Sequence, residues 1–210
     1  MKGLFVTGTD TNVGKTIVSC LLTAGLNGKY WKPIQSGLAA ETDSEFVKNI
    51  LGIDSVIAES YRLNKPLSPH HAALIDGVCI EINKIKVPNH FVEPLIIEGA
   101  GGVFVPINDK YMMIDLMQNT QFPCILVARS GVGTLNHTLL TLAELRRRNI
   151  PVLGVVMNGE QNQLNKKSIE LFGNTKVILE IEEMKEINKN NLLSIFNKRF
   201  NKEVLNEKNY

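Results

Sequence analysis

Cysteine is scarce in this 210-residue chain, and no two cysteines stand close together in the sequence. The three, Cys20, Cys79 and Cys124, lie in or near apolar stretches, and no Cys-x-x-Cys pair is present. This spacing argues against a zinc knuckle or a redox dithiol. We therefore expect all three to be buried, reduced thiols of a cytosolic protein.

An excess of one charge and long apolar runs are also lacking. The chain has 23 Lys and Arg against 21 Asp and Glu, a formal net charge of +2, so no broad basic face indicates binding to nucleic acid. No apolar run approaches the ~20 residues that span a bilayer. The first residues lead directly into an apolar segment, without a charged leader and cleavage site. These features predict a cytoplasmic protein with no nucleic-acid or membrane partner.

Apolar runs and helical patterns alternate along the chain. Hydrophobic residues make up 44% of it, enough for a sizeable core in one domain, residues 1–210. Short apolar runs that suit strands buried on both faces occur at residues 4–6, 30–34, 95–97, 124–128, 152–157 and 176–179. Helical periodicity occurs between them, at residues 16–26, 43–51, 135–147 and 165–172. The alternation predicts an α/β fold, a doubly wound and mainly parallel sheet with helices on both faces.

Two regions fall outside this alternation. Residues 60–90 contain three prolines, and we expect a long connection with one helix there. Residues 182–210 are rich in Asn, Lys and Glu, but four apolar residues among them predict a short docking helix. These residues are Leu192, Leu193, Ile195 and Phe196. We expect the polar tail that follows, from about residue 200 to 210, to be mobile.

The segment "FVTGTDTNVGKTIVSCLL" has the form of a phosphate-binding loop between a strand and a helix. Backbone N–H groups of such a loop point at phosphate oxygens, Lys15 can reach the β- and γ-phosphates, and the Thr16 hydroxyl can bind Mg²⁺. The common pattern has four residues between its first glycine and Gly-Lys-Ser/Thr, whereas five separate Gly8 from Gly14 here. The longer loop makes the polar residues 9–12 candidates to face a second ligand beside the γ-phosphate.

Two downstream motifs place charged residues where open α/β sheets bind their ligands. In "YWKPIQSG", Lys32 stands at the carboxyl end of the second predicted strand, where it could neutralise charge that develops during phosphoryl transfer. The alternative is a solvated lysine at a strand end. In "ETDSEF", Thr42 or Asp43 could cap the following helix, and Asp43 could also hold Mg²⁺. The local sequence favours capping.

The segment "LIIEGAGG" completes this set of candidates. An apolar strand ends in Glu98, and a glycine-rich turn follows it. This arrangement has the form of the acidic strand-end position that helps to place Mg²⁺ in phosphate-loop enzymes. Since Mg²⁺ is usually held by one or two carboxylates together with phosphates and water, Asp43, Glu98 and Thr16 would meet its requirement.

Together, "GTDTNVGKT", "KPIQSG", the aspartate of "ETDSEF", "EGAGG" and "GVGTLNHT" resemble the dethiobiotin synthetase family of phosphate-loop NTPases. The matches run in family order from residue 3 to about residue 158, and the five-residue loop spacing is the form that this family uses. The resemblance implies an ATP- and Mg²⁺-dependent ligase of biotin biosynthesis. Such an enzyme joins CO₂ to 7,8-diaminononanoate and closes a cyclic urea, giving dethiobiotin, ADP and phosphate through a carbamate and a carbamoyl-phosphate mixed anhydride.

The resemblance also implies roles for individual residues, carried over by motif. The catalytic residues would be Lys32, Lys15 and Thr11. The residues on the diamine and its carbamate would be Thr11, Lys32 and Ser36, and those on Mg²⁺ would be Thr16, Asp43 and Glu98. The nucleotide would be bound by Asn12, Val13, Gly14, Lys15, Thr16, Ile17 and Asn158.

The segment "GVGTLNHT" begins a predicted helix whose amino terminus can attract an anion. In the family this segment comes from the other subunit and holds the tail carboxylate of the substrate. The resemblance thus implies an obligatory homodimer with a shared active site. The residues concerned are Gly133, Thr134, Leu135 and Asn136. The alternative is an ordinary helix start after a strand.

Two positions depart from the family pattern. Asn12 stands where some relatives carry glutamate, and an amide cannot help an amine to lose its proton as a carboxylate could. Relatives usually carry a Leu-Gly-x-Ile-Pro segment close to the purine, whereas "VILEIEEM" has neither that glycine nor that proline. We therefore expect weakened base contacts around Asn158 and relaxed discrimination between ATP and other nucleoside triphosphates.

Other functions compete with this interpretation. Partition and septum-positioning ATPases, which are nucleotide switches, carry an extra lysine early in the loop, and "TGTDTNVGK" lacks it. Synthetases of the cobalamin pathway normally carry a second, glutaminase domain, for which 210 residues leave no room. The four histidines show no spacing of a metal site and predict packing or surface positions. They are His70, His71, His90 and His137.

Overall fold

The computed structural model describes residues 1–205 of the chain. Its strands are β1 (Gly3–Gly8), β2 (Lys29–Trp31), β3 (Ile34–Ser36), β4 (Val56–Ile57), β5 (Tyr61–Leu63), β6 (Leu95–Gly102), β7 (Cys124–Arg129), β8 (Val152–Asn158) and β9 (Val177–Ile181). Within the described residues, seven of them form one sheet in the order β4-β2-β6-β1-β7-β8-β9, and each neighbouring pair is parallel. Strands β3 and β5 form a separate parallel pair.

Helices connect the strands. They are α1 (Lys15–Leu26), α2 (Asp43–Leu51), α3 (Pro69–Asp76), α4 (Met113–Thr120), α5 (Thr134–Arg147), α6 (Gln163–Gly173) and α7 (Lys189–Arg199). Short 3₁₀ turns lie at Ile53–Ser55, Ile82–Lys84 and Lys202–Leu205. No helix in residues 1–205 is both long enough and apolar enough to cross a membrane.

The sheet is buried on both faces, as the continuous apolar runs predict. Alternate residues of β1 enter different clusters: Leu4 and Val6 pack with the apolar faces of α1 and α7. Phe5 points the other way and packs with Ile97 and Met113, the latter from α4. Helices therefore cover both faces, and the doubly wound α/β prediction is confirmed.

The topology places one end of β1 at a crevice. Strand β1 lies between β6 and β7, and the chain runs outward from it in both directions. Ligands of open α/β sheets bind beyond the carboxyl ends of the strands at such a switch point. The carboxyl ends of β1 and β6 meet there.

The six predicted strands and four predicted helices are all present, and α2 has the predicted bounds. The apolar run at residues 30–34 divides in two, however, because β2 ends at Trp31 and β3 begins at Ile34. Pro33 in the gap has no N–H to donate to a ladder, and the two pieces pair with different strands. The region 60–90 contains the expected helix, α3, and also the short strand β5. Helix α4, which has only eight residues, was not predicted.

One thiol prediction is wrong. Cys20 and Cys124 are buried, but Cys79 is exposed. Helix α3 ends at Asp76, and Gly77 follows in the left-handed conformation, with φ of 65°. The chain turns outward there, and Ile80 rather than Cys79 occupies the next buried position.

The predicted docking helix is α7, which packs on the core through Leu192 and Phe196. Phe200 stacks on Phe196 with ring centroids 5.0 Å apart, and Val204 is also buried. The segment expected to be mobile, about residues 200–210, thus has two buried residues in its described part. The remainder of that segment lies outside the described residues.

Candidate active site

The loop between β1 and α1 has the left-handed residues that its long form requires. Gly14 precedes the helix with φ of 93°, and Asn12 has φ of 56°. Asparagine adopts this conformation more readily than most residues with a side chain. This backbone requirement gives a structural reason for an asparagine at position 12.

Asp10 fixes the shape of the polar part of the loop. One carboxylate oxygen, Oδ1, accepts a hydrogen bond from the Thr11 N–H at 2.7 Å, and the other, Oδ2, lies 2.6 Å from Nη2 of Arg129 at the end of β7. The Thr11 N–H and the Arg129 guanidinium lower the pKa of Asp10. Its backbone carbonyl accepts a hydrogen bond of 2.8 Å from Nζ of Lys15. Burial lowers the pKa of Lys15, although nearby Glu98 opposes the effect.

Asn158 holds the loop from the opposite side. Its Nδ2 donates a hydrogen bond of 3.0 Å to the Val13 carbonyl. A Cβ on Gly14 would overlap this amide, so the helix start requires glycine for space as well as for conformation. Asn158 therefore contacts the loop itself, a contact that the sequence did not predict.

Lys32 forms the centre of a buried charged cluster. Its Nζ lies 2.6 Å from Asp43 Oδ2 and 2.9 Å from Glu98 Oε1. The Thr16 hydroxyl lies 2.5 Å from Asp43 Oδ1 and 3.0 Å from Glu98 Oε1. Lys32 and Glu98 are almost completely buried, at 5% and 1% exposure. The alternative, a solvated lysine at a strand end, is thus excluded.

Opposing effects set the protonation states of the cluster. Burial would lower the pKa of Lys32, but the carboxylates of Glu98 and Asp43 outweigh it and raise the pKa above its ordinary value. Burial would raise the pKa of Asp43, but the Lys32 ammonium outweighs it, with help from the Thr16 hydroxyl, and lowers the pKa. Lys32 and Asp43 thus both remain charged at neutral pH.

Thr42 and Glu45, and not Asp43, cap the start of α2. Thr42 is the N-cap of α2 and forms a capping box with Glu45, because each side chain accepts a backbone N–H of the other residue. The Asp43 N–H itself donates to Oε1 of the buried Gln35. The Asp43 carboxylate is therefore available to the charged cluster. Of the two candidate caps, Thr42 and Asp43, the structure has Thr42.

Tyr30 is a member of this site that sequence reasoning missed. Its hydroxyl donates a hydrogen bond of 2.9 Å to Glu98 Oε2. Burial and the neighbouring Glu98 raise the pKa of Tyr30 well above its ordinary value, so the phenol keeps its proton. In the sequence, a tyrosine inside an apolar run has no feature that distinguishes it from core.

A cavity of about 480 Å³ opens beside the cluster and is lined by eight predicted site residues. They are Thr11, Asn12, Lys15, Thr16, Lys32, Ser36, Asp43 and Glu98. Gly14 and Ile17 line a smaller neighbouring cavity of about 240 Å³. Val13 is buried in the core beneath the loop.

The remaining predicted residues lie elsewhere. The start of α5, with Gly133, Thr134, Leu135 and Asn136, does not line the cavity of its own chain. Val132, just before it, is fully exposed. The four histidines also lie outside the cavity. Within residues 1–205, no group of three or more His, Cys, Asp or Glu side chains is placed to hold a metal ion.

The parallel sheet, the Gly-Lys-Thr loop at its switch point and the adjacent acidic pair define a phosphate-loop NTPase. A ParA family ATPase from Chlorobium tepidum TLS superposes with a TM-score of 0.57 at 10% identity, over 93% of this chain and 90% of that chain. The septum site-determining protein MinD from Pyrococcus horikoshii OT3 superposes with a TM-score of 0.54 at 15% identity, over 92% and 85%. At such identities these likenesses show the fold alone.

Sequence relatives narrow the class. A family model described as an AAA domain matches residues 2–191. "ATP-dependent dethiobiotin synthetase BioD" of Paramagnetospirillum magneticum is 49% identical over 87% of this chain and 88% of its own length. The protein of that name in Brucella ovis is 47% identical over 82% of each chain. This chain belongs to the dethiobiotin synthetase family.

The lowered pKa of Asp43 generates a prediction about stability. A group whose pKa is lower in the folded state contributes stability above its ordinary pKa of 3.8, and that contribution is lost as the pH falls through the folded value. We expect the difference in unfolding free energy between the wild type and Asp43→Asn to shrink as the pH falls from about 6 to about 3. Urea unfolding at a series of pH values measures this difference.

A second background tests the cause of this effect. The ammonium of Lys32 lowers the pKa of Asp43, so the pH dependence of the difference should weaken in Lys32→Met. A difference that stayed constant with pH in the wild-type background would contradict the assignment.

Proposed function

We propose that this chain catalyses the ATP-dependent formation of dethiobiotin from 7,8-diaminononanoate and CO₂, with release of ADP and phosphate. One observation carries the proposal: a buried lysine and two carboxylates adjoin the phosphate loop. Membership of the dethiobiotin synthetase family supports it. The loop departs from the switch ATPases by lacking their extra lysine, so no feature of it favours that alternative.

The nucleotide binds at the loop and the start of α1 in this proposal. The N–H groups there are free to point at phosphate, because Gly14 caps the helix without a side-chain hydrogen bond. Lys15 transfers its ammonium from the Asp10 carbonyl to the β- and γ-phosphates. Asn12, Val13, Ile17 and Asn158 complete the nucleotide site, as the family resemblance implies.

The residues around Lys32 fit a magnesium site. Thr16 offers a hydroxyl that lies 2.5 Å from Asp43 Oδ1 and 3.0 Å from Glu98 Oε1, and hard oxygens such as these are what Mg²⁺ prefers. A bound Mg²⁺ would supply positive charge to the phosphates of ATP and orient them. Two carboxylates suffice, since phosphate and water provide the other ligands.

The cavity suits the diamine and its carbamate. Ser36 Oγ is buried and has no hydrogen-bond partner among residues 1–205, so it is available to a substrate. Pro66, Leu67 and Val105 form an apolar part of the wall that matches the methylene chain of a diaminononanoate. Thr11 and Lys32 lie at the polar end. A lysine there can offset the repulsion between a carbamate anion and a triphosphate.

The reaction then follows from what these residues hold. One unprotonated amine adds to CO₂ and loses a proton to give the carbamate. A carbamate oxygen then attacks the γ-phosphorus and displaces ADP, while Lys15 and Lys32 balance the negative charge. The second amine attacks the resulting mixed anhydride, closes the urea ring and releases phosphate. Holding the reacting groups in line supplies much of the rate enhancement.

Substitution of Lys32 tests the proposed reaction. We expect Lys32→Ala to lower kcat for dethiobiotin formation by about 10²–10³-fold, because a preorganised charge facing the phosphoryl group is removed. Diaminononanoate-dependent phosphate release is the measurement. Lys29→Ala is the matched control, since Lys29 begins the same strand but contacts the Asp54 carbonyl, away from the cavity. Near-normal turnover by Lys32→Ala would refute the mechanism.

The partner subunit completes the site in this proposal. The start of α5 does not line the cavity of its own chain. A segment that bound the substrate in the same subunit would be expected to line it. Exposed apolar side chains on this part of the molecule suit a homodimer interface. They are Val132, Leu140, Leu164, Leu171 and Phe172. Gly133, Thr134, Leu135 and Asn136 would then bind the tail carboxylate in the site of the other subunit.

Mixed dimers test the shared site. Asn136→Asp places a carboxylate where the substrate carboxylate would bind, and it changes an exposed side chain in the first turn of α5 without changing its size. We expect this variant and Lys32→Ala to be inactive separately but to recover about a quarter of wild-type activity when co-assembled. Half of the dimers would be mixed, and each would keep one intact site. If the mixture stays inactive although mixed dimers form, the site is not shared.

Nucleotide preference is a further prediction. The segment at β9 lacks the glycine and proline of relatives, and Asn158 Nδ2 is engaged by the Val13 carbonyl. We expect the preference for ATP over GTP to stay below roughly 200-fold. A site without dedicated hydrogen bonds to the base discriminates by about 10–200-fold, whereas a site built to hydrogen-bond a group rejects the analogue by about 10⁴-fold or more. Competition between ATP and GTP measures the preference, and strong selection for ATP would contradict this prediction.

A cytoplasmic location, and the absence of nucleic-acid and membrane partners, stay predictions.

A further inference from the structure

We propose that Tyr30 is a positioning residue for the magnesium site, through its hydrogen bond to Glu98. The inference rests on the proposed function, because it assigns the carboxylate of Glu98 to Mg²⁺. Tyr30 does not line the cavity, so it acts through Glu98 rather than on a ligand directly.

The two oxygens of Glu98 face different surroundings. Oε1 lies 3.0 Å from the Thr16 hydroxyl and 2.9 Å from Nζ of Lys32, on the side of the phosphate loop. Oε2 accepts the hydrogen bond of 2.9 Å from the Tyr30 hydroxyl. Within residues 1–205, no other side chain donates to Oε2. Tyr30 therefore holds Oε2 in place, while Thr16 and Lys32 hold Oε1.

Strand pairing fixes this geometry. Tyr30 lies on β2 and pairs with Ile96 of β6, two residues before Glu98 on the same strand. The side chains of Tyr30 and Glu98 are buried, at 0% and 1% exposure. The terminal torsion of a glutamate side chain is soft on its own, so an ordered plane needs a partner on each oxygen. Residues that hydrogen-bond a ligating carboxylate in this way orient it for the metal.

The contribution of the Tyr30 hydroxyl can be tested separately from the packing of its ring. The Tyr30 ring belongs to the apolar core on one face of the sheet, and phenylalanine would keep that packing. The change would leave Oε2 of Glu98 buried without a donor, which is costly for a charged group. The carboxylate then gains by turning towards Lys32, and its oxygens leave the orientation that serves Mg²⁺.

The test is the Mg²⁺ dependence of nucleotide binding in Tyr30→Phe. Equilibrium binding of a nonhydrolysable ATP analogue is measured against free Mg²⁺, and again with the metal chelated. We expect the free Mg²⁺ needed for half-maximal tightening to rise on the order of 10-fold, with metal-free affinity within about twofold of wild type. Formation of the Mg²⁺–nucleotide complex is common to both proteins, so the difference reports on the protein ligands.

A matched control removes a phenolic hydroxyl elsewhere. The Tyr61 hydroxyl accepts the Glu81 N–H at 3.0 Å, away from the charged cluster, so Tyr61→Phe should keep the wild-type Mg²⁺ dependence. Tyr30→Phe should also have little effect in a Glu98→Gln background, because the two residues act through one contact. Equal losses with and without Mg²⁺, or full additivity with Glu98→Gln, would overturn the positioning role.

A crystal structure of the wild-type protein with Mg²⁺ and the same analogue provides a second measurement that does not depend on the variant folding. We expect Tyr30 Oη to stay within hydrogen-bond distance of the Glu98 carboxylate. Separation of the two groups in that complex would overturn the inference. If wild-type binding shows no Mg²⁺ dependence, the proposed metal site fails, and the inference fails with it. If wild-type binding depends on Mg²⁺ and Tyr30→Phe shows the same Mg²⁺ dependence, the inference about Tyr30 fails while the proposed metal site stands.

Discussion

The site depends on the burial of Lys32 between two carboxylates. Moving a single charge out of water costs several kcal/mol, and it is tolerated only when partners surround it closely. Asp43 and Glu98 provide those partners at 2.6 and 2.9 Å, and Thr16 lies within 3.0 Å of both. The four residues come from different elements, so the cluster forms only when the sheet and its helices have assembled. Removal of Lys32 would leave the two carboxylates without this counter-charge.

The parallel sheet brings these residues together. Strands β1, β2 and β6 are neighbours or next neighbours, and they all run the same way. Lys32 follows β2 directly, while Glu98 lies within β6, where the strand approaches the glycine-rich turn. The capping box of Thr42 and Glu45 fixes the start of α2, which aims Asp43 at the same point. Strand pairing and helix capping thus bring the side chains of Lys32, Asp43 and Glu98 together.

The local sequence predicted most of the strands and helices and eight of the residues that line the candidate cavity. It could do so because each motif lies at the end of an apolar strand or at the start of a helix. Gly14, Lys15 and Thr16 follow a strand and open a helix, and Glu98 ends an apolar run. The contribution of Tyr30 could not be predicted, since its partner is 68 residues away in the chain. The place of Asp43 in the charged cluster could not be predicted without knowing that Thr42 caps the helix. Helix α4 was too short for its periodicity to be detected, and the exposure of Cys79 depends on a turn.

The charged cluster also constrains how ligands can enter. Lys15 contacts the Asp10 carbonyl and Lys32 contacts two carboxylates, so both ammonium groups have partners before any anion binds. A triphosphate that attracts both lysines would leave the buried Glu98 and the partly buried Asp43 without counter-charge, which is costly above all for Glu98. A divalent cation that arrives with the triphosphate removes that cost, because the carboxylates exchange one cation for another. The two carboxylates would then keep a counter-charge, and this exchange would give a physical reason for a nucleotide to bind as its magnesium complex in the proposed reaction.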